Sequence, residues 1–195
     1  MIILGVGRLS EQKDCATLIR AYAKVVQAIV DAVPQTSQAA LAKSGTPRLM
    51  ILGEGPQRAQ LEALVGSLDL TELVAMPGWV DNPLIFMRES SLFVLCSRWE
   101  GLPGVLIEAL YTGVPVISTD APGGSAEVLQ HGKLGTLVAV NDVDALAEAI
   151  LSKLERPGSP PPPECLQPFE RENVLDQFAK ILSLIHISEP TRHRR

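Results

Sequence analysis

No apolar run in this chain reaches the roughly 18 residues that suggest a membrane span, which excludes an obvious spanning helix. The start, MIILGVGRLS, has no basic n-region and no long apolar core, so it reads as a strand and not as a secretory signal. Basic charge is not in excess. The net charge of −5 excludes a general nucleic-acid partner. Cysteine is scarce, and Cys15, Cys96 and Cys165 form an odd, scattered set without a CxxC or another metal-spaced pair. A reduced, cytoplasmic compartment fits them best. The dinucleotide fingerprint GxGxxG is also missing, because Ser10 stands where the third glycine belongs. What remains is a globular composition, 46% hydrophobic and 20% charged, in 195 residues, enough for one domain with a real core.

Short β-branched runs alternate with longer amphipathic stretches. Strands are expected at 2–6, 48–55, 73–78, 91–97, 114–119 and 134–140. Helices are expected at 14–33, 56–70, 81–90, 103–113, 123–132 and 142–155. Pro56 suits a first helical turn, Asp81 or Asn82 starts the third helix, and Asn141 or Asp142 caps the sixth. This alternation predicts an α/β fold, a three-layer Rossmann-like parallel sheet with helices on both faces. Residues 35–47 read as a surface insertion. PGSPPPPEC and the residues after it, 157–168, read as an extended proline-rich spacer behind a domain at 1–156. A last helix is expected at 169–185, and 186–195 is set aside as a non-native or disordered tail.

Open α/β sheets bind ligands beyond the carboxyl ends of their strands, and four stretches fall there. In GVGRLSEQK, Gly7 frees the backbone while Arg8 and Lys13 supply charge suited to a pyrophosphate. The bland alternative is a loop with two solvated cations. LGEGPQR reads as a tight turn at the cleft edge. In MPGWVDN, Gly78 and Val80 can offer backbone groups to a flat base, whereas Trp79 is taken as packing and left out of the site. In WEGLPGVLIEAL, Pro103 is expected at the first helical position, with Gly101 and Gly104 beside it and free N–H groups that suit a phosphate. Leu106, Ala109 and Leu110 share one face, so Glu108 lies on the other, one turn after Gly104. A carboxylate accepts hydrogen bonds only, which suits the paired hydroxyls of a ribose. The alternatives are a solvated helix face for Glu108 and a capping carboxylate for Glu100. His131 reads as a turn residue.

GRLSEQKD, LGEGPQRAQLEAL, MPGWVDNP, SRWEGLPGVLIEALYTGVPVISTDAPGG and HGKLGTLVAVNDVDALAEAI arrive in that order. The set resembles the C-terminal, donor-binding half of the retaining glycosyltransferases of family four, which have the two-domain glycosyltransferase B fold. Glu100 and Glu108 match that family's E-x7-E spacing. The resemblance implies that Arg8 and Lys13 hold the donor diphosphate and stabilise the leaving group. It implies that Glu108 binds the ribose, Glu100 contacts the transferred sugar, and Val80 lies near the base. Gly7 and the backbone of Gly101, Leu102, Pro103 and Gly104 would complete the donor site. It implies no cofactor and no metal, and the sequence reads as holding no DxD near a strand end and no histidine cluster. The donor it implies is a nucleotide diphosphate sugar, with a UDP-linked hexose or N-acetylhexosamine favoured over a GDP-linked one.

The resemblance also implies an N-terminal acceptor domain that is not present here. The expectation is therefore a fragment that binds its donor weakly and transfers little by itself. Any peripheral membrane association is assigned to the missing domain. The alternative from another class is a non-catalytic nucleotide-binding or interaction module of the same fold. A nucleotide-sugar epimerase or phosphorylase is a third reading, and an oxidoreductase is the weakest because the glycine fingerprint fails.

Overall fold

The structure is a computed structural model and describes residues 1–32, 45–158 and 160–187. Most of the 35–47 insertion, and 188–195 of the tail, lie outside the described residues. The strands are β1 (Ile2–Val6), β2 (Arg48–Leu52), β3 (Val74–Gly78), β4 (Leu92–Leu95), β5 (Val116–Thr119) and β6 (Thr136–Val138). They form one sheet in the order β3-β2-β1-β4-β5-β6, and every neighbouring pair is parallel. All six expected strands are present, each within its predicted stretch.

The helices are α1 (Cys15–Asp31), α2 (Arg58–Ser67), α3 (Pro83–Glu89), α4 (Gly104–Thr112), α5 (Ser125–Val128) and α6 (Val143–Glu155). Side chains alternate across a strand, so each strand feeds two layers. Ile3, Leu49, Ile51, Leu92, Val94 and Ile117 join α1, α2 and α6 in the main core cluster. Their strand neighbours Leu4, Phe93, Leu95 and Val116 are buried too, on the other face, and α3 packs on α4 and on β1. That is the expected three-layer arrangement. All four residues of β4 are buried, as a central parallel strand requires.

Boundaries differ where capping decides them. Asp14 caps α1 through Thr17 N, Asn82 caps α3 through Leu84 N, and Asp142 caps α6 through Ala145 N. Asp81 and Asn141 do not cap. Pro56 lies in a turn before α2, because Gln57 is the cap residue there. The fifth helix shrinks to four residues because Gln130 and His131 follow it with φ of 47° and 55°, left-handed values that no helix continues. His131 is thus a turn residue.

The described residues divide after Pro160. In the second unit the spacer is not simply extended. It holds two 3-10 turns, Pro163–Cys165 and Gln167–Phe169, and Asn173 Nδ2 donates to Gln167 O at 2.7 Å. Proline fixes φ near −65°, which also suits a 3-10 turn. The last helix, α7 (Arg171–Ile187), starts two residues later than expected and takes in His186 and Ile187 of the segment set aside.

Three buried acids make the fold alkali-sensitive, and burial pushes one of them, the Cys96 thiol, well above its usual value. Burial, aided by the Asp14 charge, pushes the Cys15 thiol from 9.0 up to about 11. Burial pushes the Tyr22 phenol from 10.0 up to about 12, and its hydroxyl donates to Pro47 O at 2.5 Å. All three groups are neutral when protonated, so the unfolded chain ionises first as pH rises. The stability they contribute is fully present below pH 9 and is lost from pH 9 to 11 for Cys15 and from pH 10 to 12 for Tyr22. At about 1.4 kcal/mol per unit, Cys15 alone accounts for a loss of about 3 kcal/mol. Melting temperature should therefore fall steeply across pH 9–11, and Cys15→Ala should flatten that fall.

Candidate functional site

The chain builds outward from β1 to β3 and then restarts on the other side of β1 with β4. The loops after β1 and β4 therefore leave in opposite directions and open a crevice between them. Lys13 closes the 3-10 turn Glu11–Lys13 of the first loop, and Glu100 lies in the second. They meet there. Lys13 Nζ donates to Glu100 Oε1 at 2.5 Å, although the two residues are 87 positions apart. Their side chains are 17% and 6% exposed, so the pair is largely shielded from water. Ser97 Oγ donates to the same oxygen at 2.5 Å, and Thr119 Oγ1 holds Ser97 O at 2.6 Å. A carboxylate with both partners on one oxygen keeps Oε2 available for another donor.

The backbone around Glu100 is tied to the loop after β5. Glu100 N donates to Pro122 O at 2.9 Å, and Gly124 N to Gly101 O at 2.7 Å. Gly123 passes so close that a Cβ there would lie 1.8 Å from Glu100 O. Pro103, buried, has φ −75° and ψ 86°, so it is the cap residue of α4 and Gly104 is the first helical residue. The expected order is shifted by one because the ψ of Pro103 is not helical. No side chain caps α4, which leaves its N-terminal dipole open to an anion. The capping role weighed for Glu100 is thus not what this residue does.

A cleft of about 450 Å³ lies at the ends of β1, β2 and β3 and is lined by Val6, Gly7, Arg8, Gly53, Trp79 and Val80, among others. Gly7, Arg8 and Val80, three of the residues expected at the donor site, line this cleft together. Arg8 is exposed, and its guanidinium has no carboxylate partner among the described residues. Trp79 is corrected. It is 76% exposed and lines the cleft instead of packing. Glu108, Gly101, Leu102 and Gly104 are exposed and lie outside that lining, on the α4 side. Leu106, Ala109 and Leu110 are buried as expected, which turns Glu108 outward. A Cβ at Gly101 or Gly104 would meet no atom within 4 Å, so a ligand can approach the backbone closely there.

Sequence reasoning missed Asp14, Ser97 and Arg98. Asp14 had a signal, since it directly precedes an apolar helical pattern. Ser97 and Arg98 stand in the quoted SRWEGLPG, but nothing local shows their partners. A DxD does follow β6, at Asp142–Val143–Asp144. Asp142 is occupied as a helix cap and Asp144 pairs with Lys24. Among the described residues, no three His, Cys, Asp or Glu side chains converge as a metal-binding group, and no helix is long and apolar enough to cross a membrane.

The family model of the glycosyl transferases group 1 matches residues 1–165. The chain belongs to that family. It is 33% identical over 153 residues to an N-acetylgalactosaminyltransferase of Campylobacter jejuni acting on a diphospho-undecaprenol, covering 78% of this chain and 37% of that protein. It is 28% identical over 186 residues to the N-acetyl-alpha-D-glucosaminyl L-malate synthase of Bacillus anthracis, covering 92% of this chain and 44% of that one. The chain therefore spans less than half the length of these curated relatives. The crystal structure of Anabaena HepE in complex with UDP superimposes with a TM-score of 0.76 at 22% identity, over 93% of this chain and 48% of that one. At that identity the likeness shows the fold, which is the Rossmann-like sheet of a B-type glycosyltransferase half.

Proposed function

We propose that the crevice binds a nucleotide diphosphate sugar, and that the glycosyltransferase containing this chain transfers the sugar to an acceptor hydroxyl with retention. The observation that carries this reading is the Lys13–Glu100 pair, 2.5 Å apart at the sheet's switch point. It brings a cation and a carboxylate from separate loops to the place where such folds bind ligands. Arg8 beside the cleft and the uncapped start of α4 add positive potential. In this reading the base lies in the cleft by Val80 and Trp79. Arg8, Lys13 and the α4 N-terminus hold the diphosphate, Glu108 takes the ribose, and Glu100 takes a sugar hydroxyl. Gly7 and residues Gly101 to Gly104 allow close backbone approach.

Breaking the anomeric C–O bond leaves negative charge on the diphosphate. Two cations and a helix end, fixed before reaction, stabilise that charge in the transition state. The sugar carbon becomes oxocarbenium-like. This reading gives no role to a metal or a cofactor. Retention and the acceptor domain are carried over from the family resemblance, and a cytoplasmic location from the scarce, unpaired cysteines. UDP is the first nucleotide to test, because the HepE structure holds UDP.

Thermal stabilisation by UDP, GDP and ADP at millimolar concentration tests the reading. Ligand at about 100 times its Kd stabilises the folded state by about 2.7 kcal/mol, a rise of several degrees. UDP is expected to give that rise, and Glu108→Ala to weaken UDP binding at least about tenfold with unchanged circular dichroism, as loss of hydrogen bonds from a charged acceptor implies. No shift with any of the three, in folded protein, overturns the donor site. Unchanged affinity in Glu108→Ala overturns the ribose contact. The second reading is a binding module of the same fold without transfer. UDP binding without turnover of UDP-sugars and simple acceptors would support it.

A further inference from the structure

The loop that carries Lys13 to Glu100 is tied to the loop after β4 by Arg98 and Gln12, residues outside the proposed donor contacts. Arg98 N donates to Gln12 O at 2.7 Å, and Gln12 Nε2 donates to Trp99 O at 3.0 Å. The Arg98 side chain then forks. Nε donates to Asp14 Oδ2 at 3.1 Å and Nη1 to Glu11 Oε1 at 3.1 Å. These four bonds bracket Lys13 on both sides in sequence and join its loop to the one that carries Glu100.

Asp14 makes the arrangement unusual. It is 4% exposed and adopts φ 42°, a left-handed conformation that side chains other than glycine rarely take. It caps α1 by accepting from Thr17 N and Oγ1. A buried carboxylate needs a compensating cation, and among the described residues the only one bonded to it is Arg98. The turn that ends at Lys13 is thus set at its far side by a strained, buried acid, and Arg98 holds that acid. Lysine cannot replace this fork, because an ammonium is a single point charge.

We propose that Arg98 is a positioning residue that acts through Lys13. It fixes the turn Glu11–Asp14 so that the Lys13 ammonium stands at Glu100 before any ligand arrives. The role in donor binding rests on the function proposed above, but the positioning does not, and the two are tested separately.

The test uses Arg98→Lys, which keeps a positive charge beside Asp14, with Arg98→Ala as a second variant. In ligand-free protein, acylation of Lys13 by an N-hydroxysuccinimide ester is followed by peptide mass spectrometry, with Lys24 as internal reference. Arg98→Lys is expected to raise the Lys13 rate about fivefold while lowering the melting temperature by no more than about 4 °C, leaving Lys24 unchanged. That factor corresponds to the loss of one ordinary hydrogen bond. An unchanged Lys13 rate overturns the proposal. A rise shared by Lys24 also overturns it, since that marks general loosening. Affinity for UDP and UMP is then measured in the single variants and in the double variant with Lys13→Ala. Arg98→Lys should weaken UDP about fivefold and UMP less than twofold, and should add nothing once Lys13 is gone. Additive losses, or equal losses for both nucleotides, overturn action through Lys13. Wild-type protein that binds no nucleotide, while Lys13 reactivity still depends on Arg98, overturns the proposed donor site and leaves the positioning established.

Discussion

Lys13→Ala is expected to weaken UDP binding by about 30-fold or more, because a charge-assisted bond in a shielded site is worth about 2–3 kcal/mol. The Lys13 side chain is 17% exposed and already held beside Glu100, so little freedom is lost when an anion arrives. The same substitution should lower stability. The Glu100 side chain is 6% exposed, and without Lys13 its carboxylate keeps only the Ser97 hydroxyl among its described partners. An uncompensated buried charge costs about 1–3 kcal/mol. Adding Glu100→Gln to Lys13→Ala removes that charge, so it should restore stability but not affinity. Titration calorimetry reads the first effect and urea unfolding the second. An unchanged Kd for UDP in Lys13→Ala would remove the diphosphate from this residue. A double variant no more stable than Lys13→Ala would show that the pair is not what holds Glu100.

The second large effect is structural. Gly123→Ala should destabilise the fold by at least about 3 kcal/mol and abolish UDP binding even in the fraction that folds. Gly123 has φ +120°, a conformation available to glycine almost alone, and a Cβ there would lie 1.8 Å from Glu100 O. The loop after β5 would have to withdraw from the loop after β4. Two backbone bonds would go with it, Glu100 N to Pro122 O and Gly124 N to Gly101 O. Gly53→Ala is the matching case on the other side of the crevice, with φ +132° and a Cβ 2.0 Å from Gly7 O. Wild-type stability in Gly123→Ala by chemical denaturation would contradict this close approach.

These effects share a cause. Apart from Gly104 and Glu108 on α4, the residues proposed to bind the donor sit on loops, and these loops are held by their neighbours across the sheet. Ser97 is fixed from β5 through Thr119, Glu100 from the loop after β5, and Lys13 from the loop after β4. A site built this way depends on strand order, and a defect in one loop is expected to reach the next.

The amino-acid sequence alone determined the alternation of strands and helices, the parallel three-layer sheet, the inward face of α4 and the outward direction of Glu108. Those properties follow from local periods, two residues in a strand and 3.6 in a helix, and from the chemistry of caps and turns. It also made Arg8, Lys13, Glu100 and Val80 candidates, because each stands at a strand end. Exact caps were harder to read, since Pro103 and Pro56 each stand outside a helix they could have begun. Only the tertiary structure decided that Lys13 touches Glu100, that Arg98 holds Asp14, and that Trp79 lines a cleft instead of a core. The physical reason is the crossover that returns the chain to the far side of β1. It brings residues more than 80 positions apart into hydrogen-bonding range, and no periodicity within either loop records it.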